Sequence, residues 1–173
     1  MTKTTDDVLR AVFITGLKNA HAVEHQALAL MDRQLDRLKH YEDVEARLRE
    51  HRGETETQIE RLEAILGQFD EDPSGLKDAA MSLSGNLAAL GHAFADDEIL
   101  KNAFANFAFE NFEVASYKSL IVLARNGGFS SALDPLAETL GEEEAMAAWV
   151  DDNLTSLTEK YVALKAAGEN ASR

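Results

Sequence analysis

The chain has 173 residues, of which 45% are hydrophobic and only 7% aromatic, a size and composition that fit one domain with one core. It contains no cysteine, which excludes disulfides and thiolate metal ligands and is compatible with a reducing cytoplasm. Its 31 acidic against 17 basic residues give a net charge of −14, which argues against nucleic acid or anionic lipid as a partner and favours cations.

The composition favours helix over sheet. Ala, Leu and Glu are common, and there are only two prolines, so long uninterrupted helices are expected. The first residues, MTKTTDDVLR, are polar and acidic, and no apolar run reaches the length that crosses a bilayer. We therefore expect neither export nor membrane insertion, and we predict a cytoplasmic protein.

Apolar residues at three-and-four spacing predict two helices in the first part of the chain. The first is predicted over about 6–40, with Thr5 or Asp6 as its cap, and the second over about 42–70. Residues 75–94 are predicted to form a shorter connecting helix.

Two more helices are predicted in the second part of the chain. The third follows a cap at Asp96 or Asp97 and stops at the sequence Asn126-Gly127-Gly128. The fourth begins around 130–135 and continues its apolar stripe toward Lys165.

These elements predict an all-α, ferritin-like fold. Four long helices with a longer link in the middle match an antiparallel four-helix bundle with a crossover connection, containing a shorter helix, between helices 2 and 3. We expect residues 1–168 to form this single domain and residues 169–173 to fray.

Polar side chains fall inside the apolar stripes of the first two helices. In the first helix, His21 and Glu24 share a face with apolar positions on either side of them and should point inward. In the second, His51 shares a face with apolar positions, and Glu54 lies beside it. Each helix therefore carries the spacing His-x-x-Glu.

The other two helices add carboxylates to the inward faces. The third carries Glu110 and Glu113 on the face that holds Phe107 and Tyr117, with the spacing Glu-x-x-Glu. In the fourth, Glu143 is the member of the run 142–144 that should point inward, while the other two should face water.

Buried ionised carboxylates are costly unless something neutralises them. No basic residue falls clearly on the same inward faces, which leaves shared protons or divalent cations. Carboxylates and imidazoles on facing helices are a donor set for iron or manganese in bundle cores. We interpret the pattern as a dinuclear metal site, with iron as the leading metal and manganese or zinc as alternatives.

The sequence also resembles the YciF-like family of bacterial ferritin-like proteins, a domain of unknown function, over nearly the whole chain. The matching stretches are AVEHQAL around Glu24, EHRGETETQIERL from Glu50, FENFEVASY from Phe109 and ETLGEE from Glu138. The resemblance implies a ferritin-like bundle, often dimeric, with links to bacterial stress responses, but it supplies no reaction. It assigns metal-ligand roles to Glu24, His51, Glu54, Glu110, Glu113 and Glu143.

The chain departs from the family at positions that bear on the site. Asn111 and Phe112 stand where the family usually has His-Tyr, and Ala147 replaces a typical Asp one turn beyond Glu143. His21 stands where the family tends to have tyrosine, and we include it as a candidate ligand that replaces a lost donor. Ferritins and rubrerythrins use Glu-x-x-His on two helices, so their ferroxidase activity does not transfer directly.

Other polar residues are assigned roles that involve no direct contact with a metal. Gln58 and Tyr117 are candidates for hydrogen bonds to the ligands or for polar core packing, while His25, His40 and His92 are expected at the surface or in loops. Two function classes follow. One is a metal protein that reacts with oxygen or peroxide or binds iron, and the other is a non-catalytic structural or stress-associated bundle whose core carboxylates are protonated or hydrogen-bonded. Metal ions and a second copy of the chain are the expected partners.

Overall fold

The computed structural model describes residues 4–71 and 96–173 and confirms the all-α bundle. The helices in these ranges are α1 (Thr5–Leu35), α2 (Glu42–Gly67), α3 (Glu98–Gly127) and α4 (Leu133–Ala166), and a short 3₁₀ turn (Ser130–Ala132) precedes α4. The connecting helix predicted over 75–94, and with it His92, lies outside the described residues.

Local chemistry sets the ends of the helices. The cap of α1 is Thr4, one residue before the predicted position, and it forms a reciprocal capping box with Asp7. The helix ends five residues before the predicted His40, and the turn that follows lets Arg37 bind Glu98 at the start of α3 with N–O distances of 2.5 and 2.7 Å. At the end of α3, Gly128 adopts the left-handed conformation with φ of 72°, as predicted for a glycine stop.

Contacts between the helices define the direction of each. Arg52 of α2 pairs with Asp32 of α1, and Lys18 of α1 pairs with Glu71 just after α2, so α1 and α2 are antiparallel. The N-terminal part of α1 packs against the C-terminal part of α3, so these two helices are also antiparallel. Since α2 and α3 therefore run in the same direction, the described helices have the arrangement of a four-helix bundle with a single crossover connection.

Two apolar clusters lie at different positions along the bundle and are separated by buried polar residues. One contains Phe13, Leu17, Leu62 and Leu136, and the other contains Val23, Leu48, Phe109, Met146 and Val150. Apart from Glu98 at the start of α3, the buried polar residues of the four helices lie between these two sets in sequence or directly beside them. The apolar clusters therefore separate a polar layer from both ends of the bundle.

The last five residues differ from the prediction that they fray. The Tyr41 hydroxyl donates a hydrogen bond of 2.6 Å to the Ala171 carbonyl, and the Ile99 amide donates one of 2.9 Å to the Ser172 carbonyl. Ala171 is buried. The tail thus satisfies an amide in the first turn of α3, a donor that has no partner within its own helix.

Candidate metal centre

We define the polar layer by five buried side chains, four carboxylates and one imidazole, contributed by all four of the described long helices. Each is at least nine-tenths buried, and Glu143 has no exposed surface. Such groups are rarely buried unless they are paired or coordinate a metal. The set comprises Glu24 from α1, His51 from α2, Glu110 and Glu113 from α3, and Glu143 from α4.

His51 lies at the centre of the contacts within this layer. Its Nδ1 atom is 2.7 Å from Glu54 Oε2, one turn further along the same helix. Its Nε2 atom is 3.2 Å from Glu110 Oε2 and 3.6 Å from Glu143 Oε2. The imidazole therefore brings together three helices through one side chain.

The His51, Glu110 and Glu143 side chains form a group that could hold a metal ion, because one donor atom from each lies within 4.8 Å of the others. Imidazole nitrogen and carboxylate oxygen together suit zinc, iron and manganese. The geometry thus supports metal binding without selecting among these metals.

Glu24 and Glu113 extend the layer towards the other pair of helices. The Tyr117 hydroxyl donates a hydrogen bond to Glu24 Oε1, and Tyr117 is itself buried. Glu24 and Glu113 are close enough for each to influence the protonation of the other. Tyr117 therefore acts as a hydrogen-bond donor to the layer, one of the two roles considered from the sequence.

Several carboxylate oxygens of the layer have no hydrogen-bond partner. Within residues 4–71 and 96–173 this holds for one oxygen of Glu24, one of Glu113 and both of Glu143, while Glu110 Oε2 has only its 3.2 Å contact with His51 Nε2. Buried acceptors without donors are costly, so the layer has acceptor capacity that a cation or bound protons would satisfy. These oxygens make the residues present compatible with a bound metal pair.

The charge of the layer is unbalanced. The layer holds four carboxylates and a single imidazole, and in the described part of the chain neither Lys nor Arg forms an ion pair with any of the four carboxylates. Burial raises the pKa of Glu24 to about 7 and that of Glu143 to about 10, and it raises the pKa of Glu113 well above its usual range. In the absence of metal, the layer therefore holds protons at neutral pH.

The pKa values of His51 and of its neighbour Glu54 shift in opposite directions. Burial opposes the charged form of His51, but its hydrogen bonds to Glu110 and Glu54 prevail and raise its pKa to about 10. The hydrogen bond from His51 lowers the pKa of Glu54. Glu54, with a quarter of its side chain exposed, therefore remains ionised and orients the imidazole.

The structure divides the seven predicted metal residues into three sets. Glu24, His51, Glu110, Glu113 and Glu143 lie together in the layer. Glu54 lies at its edge and contacts His51 through Nδ1. His21 is buried too, but its Nε2 atom is 3.1 Å from Glu63, and it belongs to a separate group with His25 and Glu63.

The departures from the family pattern do not all touch the layer. Asn111 and Phe112 are exposed, and the Asn111 amide donates to the Phe107 carbonyl within its own helix. Ala147, by contrast, is buried one turn beyond Glu143. Of these three residues, only Ala147 lies on the inward face of its helix.

Sequence reasoning missed several charged contacts around the layer. Arg47 donates to Glu54 at 3.2 Å, although no basic residue was assigned to these faces. Glu142 was predicted to face water, but it accepts hydrogen bonds from Gln58 and Arg61. Both arginines have long apolar stems that can cross a helix surface, and helical spacing alone does not show this reach.

Phe107 is a further correction, because 41% of its surface is exposed although its position was assigned to the inward face of the third helix. Phe104 and Phe112 are also exposed, whereas Phe109 is buried. The inward face of α3 is defined instead by Glu110, Glu113 and Tyr117.

The fold and the layer together define an antiparallel four-helix-bundle protein with a buried carboxylate and histidine group that could hold a metal. None of the described helices combines the length and apolarity needed to span a membrane. Residues 8–163 match the family model described as a domain of unknown function, DUF892. The chain belongs to this family.

Individual relatives agree with this assignment. The Escherichia coli K12 protein YciF is 30% identical over 174 aligned residues, covering 95% of this chain and 96% of YciF. The crystal structure of the E. coli stress protein YciF matches with a TM-score of 0.69 and 26% identity, covering 90% of this chain and 99% of that one. A Xanthomonas campestris structure matches in fold, with a TM-score of 0.76, 23% identity, and coverage of 91% and 98%.

Proposed function

We propose that the polar layer is a dinuclear metal site, with iron as its leading metal and manganese or zinc as alternatives that accept the same donors. The observation that carries this proposal is the convergence of two buried carboxylates, Glu110 and Glu143, on the His51 imidazole. The buried Glu24 and Glu113 extend this group, and several of its carboxylate oxygens lack hydrogen-bond donors in the described structure. The ligands would be Glu24, His51, Glu110, Glu113 and Glu143.

When bound, a redox-active metal pair of this kind supplies sites at which oxygen or peroxide is reduced. The protein side chains contribute orientation and exclusion of water. Glu54 holds the His51 ring through Nδ1, so Nε2 faces the carboxylates. Tyr117 fixes Glu24, and the apolar clusters on both sides of the layer keep water from the ends of the bundle.

Glu54 also supports a route for cations into the layer. It lines a surface cleft between α2 and α4 together with Asp43, Arg47, Glu50 and Trp149. Three carboxylates outnumber the one guanidinium, which pairs with Glu50 and Glu54. Because the Glu54 carboxylate contacts His51, it joins the acidic cleft to the buried donors. The negative cleft would concentrate cations at this opening.

The name of the E. coli relative as a stress protein supports a role for this chain in a stress response. We also propose a homodimer in the cytoplasm. The exposed phenylalanines on α3, Phe104, Phe107 and Phe112, supply an apolar surface for such a contact.

Oxidation of bound iron tests the proposal. Protein loaded with Fe(II) without oxygen is mixed with oxygen or peroxide, and consumption of the oxidant is compared with that of free Fe(II). We expect faster consumption by the wild-type protein and its loss in Glu143→Gln, which keeps the side-chain shape. Glu144→Gln is the matched control, because Glu144 is exposed and pairs with Lys118. Wild-type protein no faster than free Fe(II) would contradict the catalytic proposal.

A second candidate is a structural bundle without metal, in which protons neutralise the layer. The raised pKa values of Glu24, Glu113 and Glu143 favour it. Metal content separates the two candidates. Protein purified without chelator that contains little iron, manganese or zinc, and that binds no added Fe(II), would support the structural bundle.

A further inference from the structure

We propose that His21, His25 and Glu63 form a second site, for a single divalent transition-metal ion, where α1 meets α2. It shares no residue with the polar layer. One donor atom from each of the three side chains lies within 4.8 Å of the others. The donor atoms of His51, Glu110 and Glu143 in the layer lie within this same distance of one another.

The local geometry follows from helix spacing. Residues four apart on a helix are neighbours on one face, and the rings of His21 and His25 have centroids 4.6 Å apart with an angle of 73° between their planes. Glu63 reaches the same place from α2, with Oε1 3.1 Å from His21 Nε2. Two imidazoles and a carboxylate therefore converge from two helices.

These three donors match a mononuclear site. Zinc is bound by imidazole nitrogen and carboxylate oxygen at about 2.0–2.2 Å, and three protein ligands leave one position for water. Such bond lengths place the donors about 3.3 Å apart, so the more distant atoms must move inward. His25 is exposed and Glu63 is partly exposed, which gives both side chains room to rotate towards the buried His21.

The donor sets predict different metal preferences for the two sites. The layer has four carboxylates and one imidazole, whereas the second site has two imidazoles and one carboxylate. Imidazole-rich sites suit zinc, copper and nickel, while carboxylates favour harder cations such as manganese. The exposure of His25 and Glu63 also makes the second site accessible to ions from solvent, so its metal should exchange readily.

Zinc titration of chelator-treated protein, followed by calorimetry, tests this site. We expect His25→Ala to bind one zinc equivalent fewer than wild type, or to bind that equivalent roughly tenfold or more weakly. Glu63→Gln should weaken the same equivalent. His40→Ala is the control, because His40 lies in the turn after α1 and should leave zinc binding unchanged.

The test of the second site does not depend on whether the polar layer binds metal. Glu143→Gln should keep the zinc equivalent that His25→Ala loses, and loss in His25→Ala would support the second site even if the layer bound no metal. His25→Ala protein with wild-type helicity, zinc stoichiometry and affinity would overturn the proposal. Iron binding by the layer would not rescue it.

Discussion

The Tyr117 hydroxyl on α3 donates a hydrogen bond to Glu24 Oε1 on α1, and both residues are almost completely buried. This bond joins the apolar cluster around Phe13, to which Tyr117 belongs, to the polar layer. Since the other oxygen of Glu24 has no hydrogen-bond partner in the described chain, Tyr117 is the main protein donor to this carboxylate.

Replacing Tyr117 with phenylalanine should destabilise the metal-free protein by about 1–3 kcal/mol, because a buried carboxylate loses its donor. Denaturant unfolding above pH 7, where Glu24 is increasingly ionised, measures the effect. Tyr161→Phe is the control, because the Tyr161 hydroxyl makes an exposed hydrogen bond of 3.2 Å to the Asp96 carbonyl. Equal stability of the two variants would show that the buried hydrogen bond contributes little.

The metal-free protein should lose stability as the pH rises from about 5 to about 8. Burial raises the pKa of Glu24 from 4.5 to about 7 and that of Glu143 to about 10. A carboxyl group whose pKa is raised by folding stabilises the protein fully below its unfolded pKa, and this contribution is lost as the pH rises through the folded pKa. For Glu24 alone the loss is on the order of 3 kcal/mol.

Unfolding of chelator-treated protein across this pH range measures that loss. His51, whose pKa is also raised, to about 10, changes stability in the same direction. Metal should reverse the trend, because it binds the deprotonated carboxylates and stabilises the folded state more as the pH rises. Metal-free stability that is constant or rising over the range would contradict the assignment of protons to the layer.

Glu54→Gln should lower the affinity for the layer metal by roughly 10- to 100-fold, as expected when a partner that orients a metal-binding histidine is lost. Competition with a chromophoric Fe(II) chelator measures the affinity. Glu50→Gln is a close control, because Glu50 contacts the same Arg47 but is two-thirds exposed. If both variants bind iron equally well, Glu54 does not act through His51.

Two glycine positions test the packing of the bundle. Gly53 lies within α2, and a Cβ atom added there would meet nothing within 4 Å, so Gly53→Ala should stabilise the protein by about 0.5–1 kcal/mol. A Cβ atom at Gly16 of α1 would lie 2.8 Å from Leu120 Cδ2 on α3. Gly16→Ala should therefore gain less stability than Gly53→Ala, because the Leu120 side chain must shift to make room for the new Cβ atom. Thermal unfolding that ranked Gly16→Ala above Gly53→Ala would contradict the close approach of the two helices.

Helical periodicity was sufficient to predict the four helices and the burial of the layer. The inward positions of Glu24, His51, Glu110 and Glu143 follow from the apolar residues three and four positions away on each helix. The same spacing also predicted burial of His21 correctly. It could not show that His21 faces Glu63 at the contact with α2, because that depends on how two helices are aligned.

Other features depend on contacts between distant parts of the chain. The polar composition of the tail predicted fraying. Its docking instead depends on hydrogen bonds with Tyr41 and Ile99, which lie far from it in sequence and could not be paired with it from the sequence. The reach of Arg47 to Glu54 depends on the conformation of a long side chain. Apolar spacing shows which residues share a helix face, but it does not show which side-chain conformers or which distant elements meet there.

The metal content of the protein tests the central claim most directly. Protein loaded anaerobically with Fe(II) and freed of excess metal is analysed for iron per chain, for wild type and for a Glu110→Gln, Glu143→Gln double variant. His25→Ala in both backgrounds keeps the second site from contributing. If the polar layer is a dinuclear site, the His25→Ala protein should hold about two iron ions per chain. The variant that also carries Glu110→Gln and Glu143→Gln should hold almost none. Negligible iron in the former, or the same iron content in both, would contradict it.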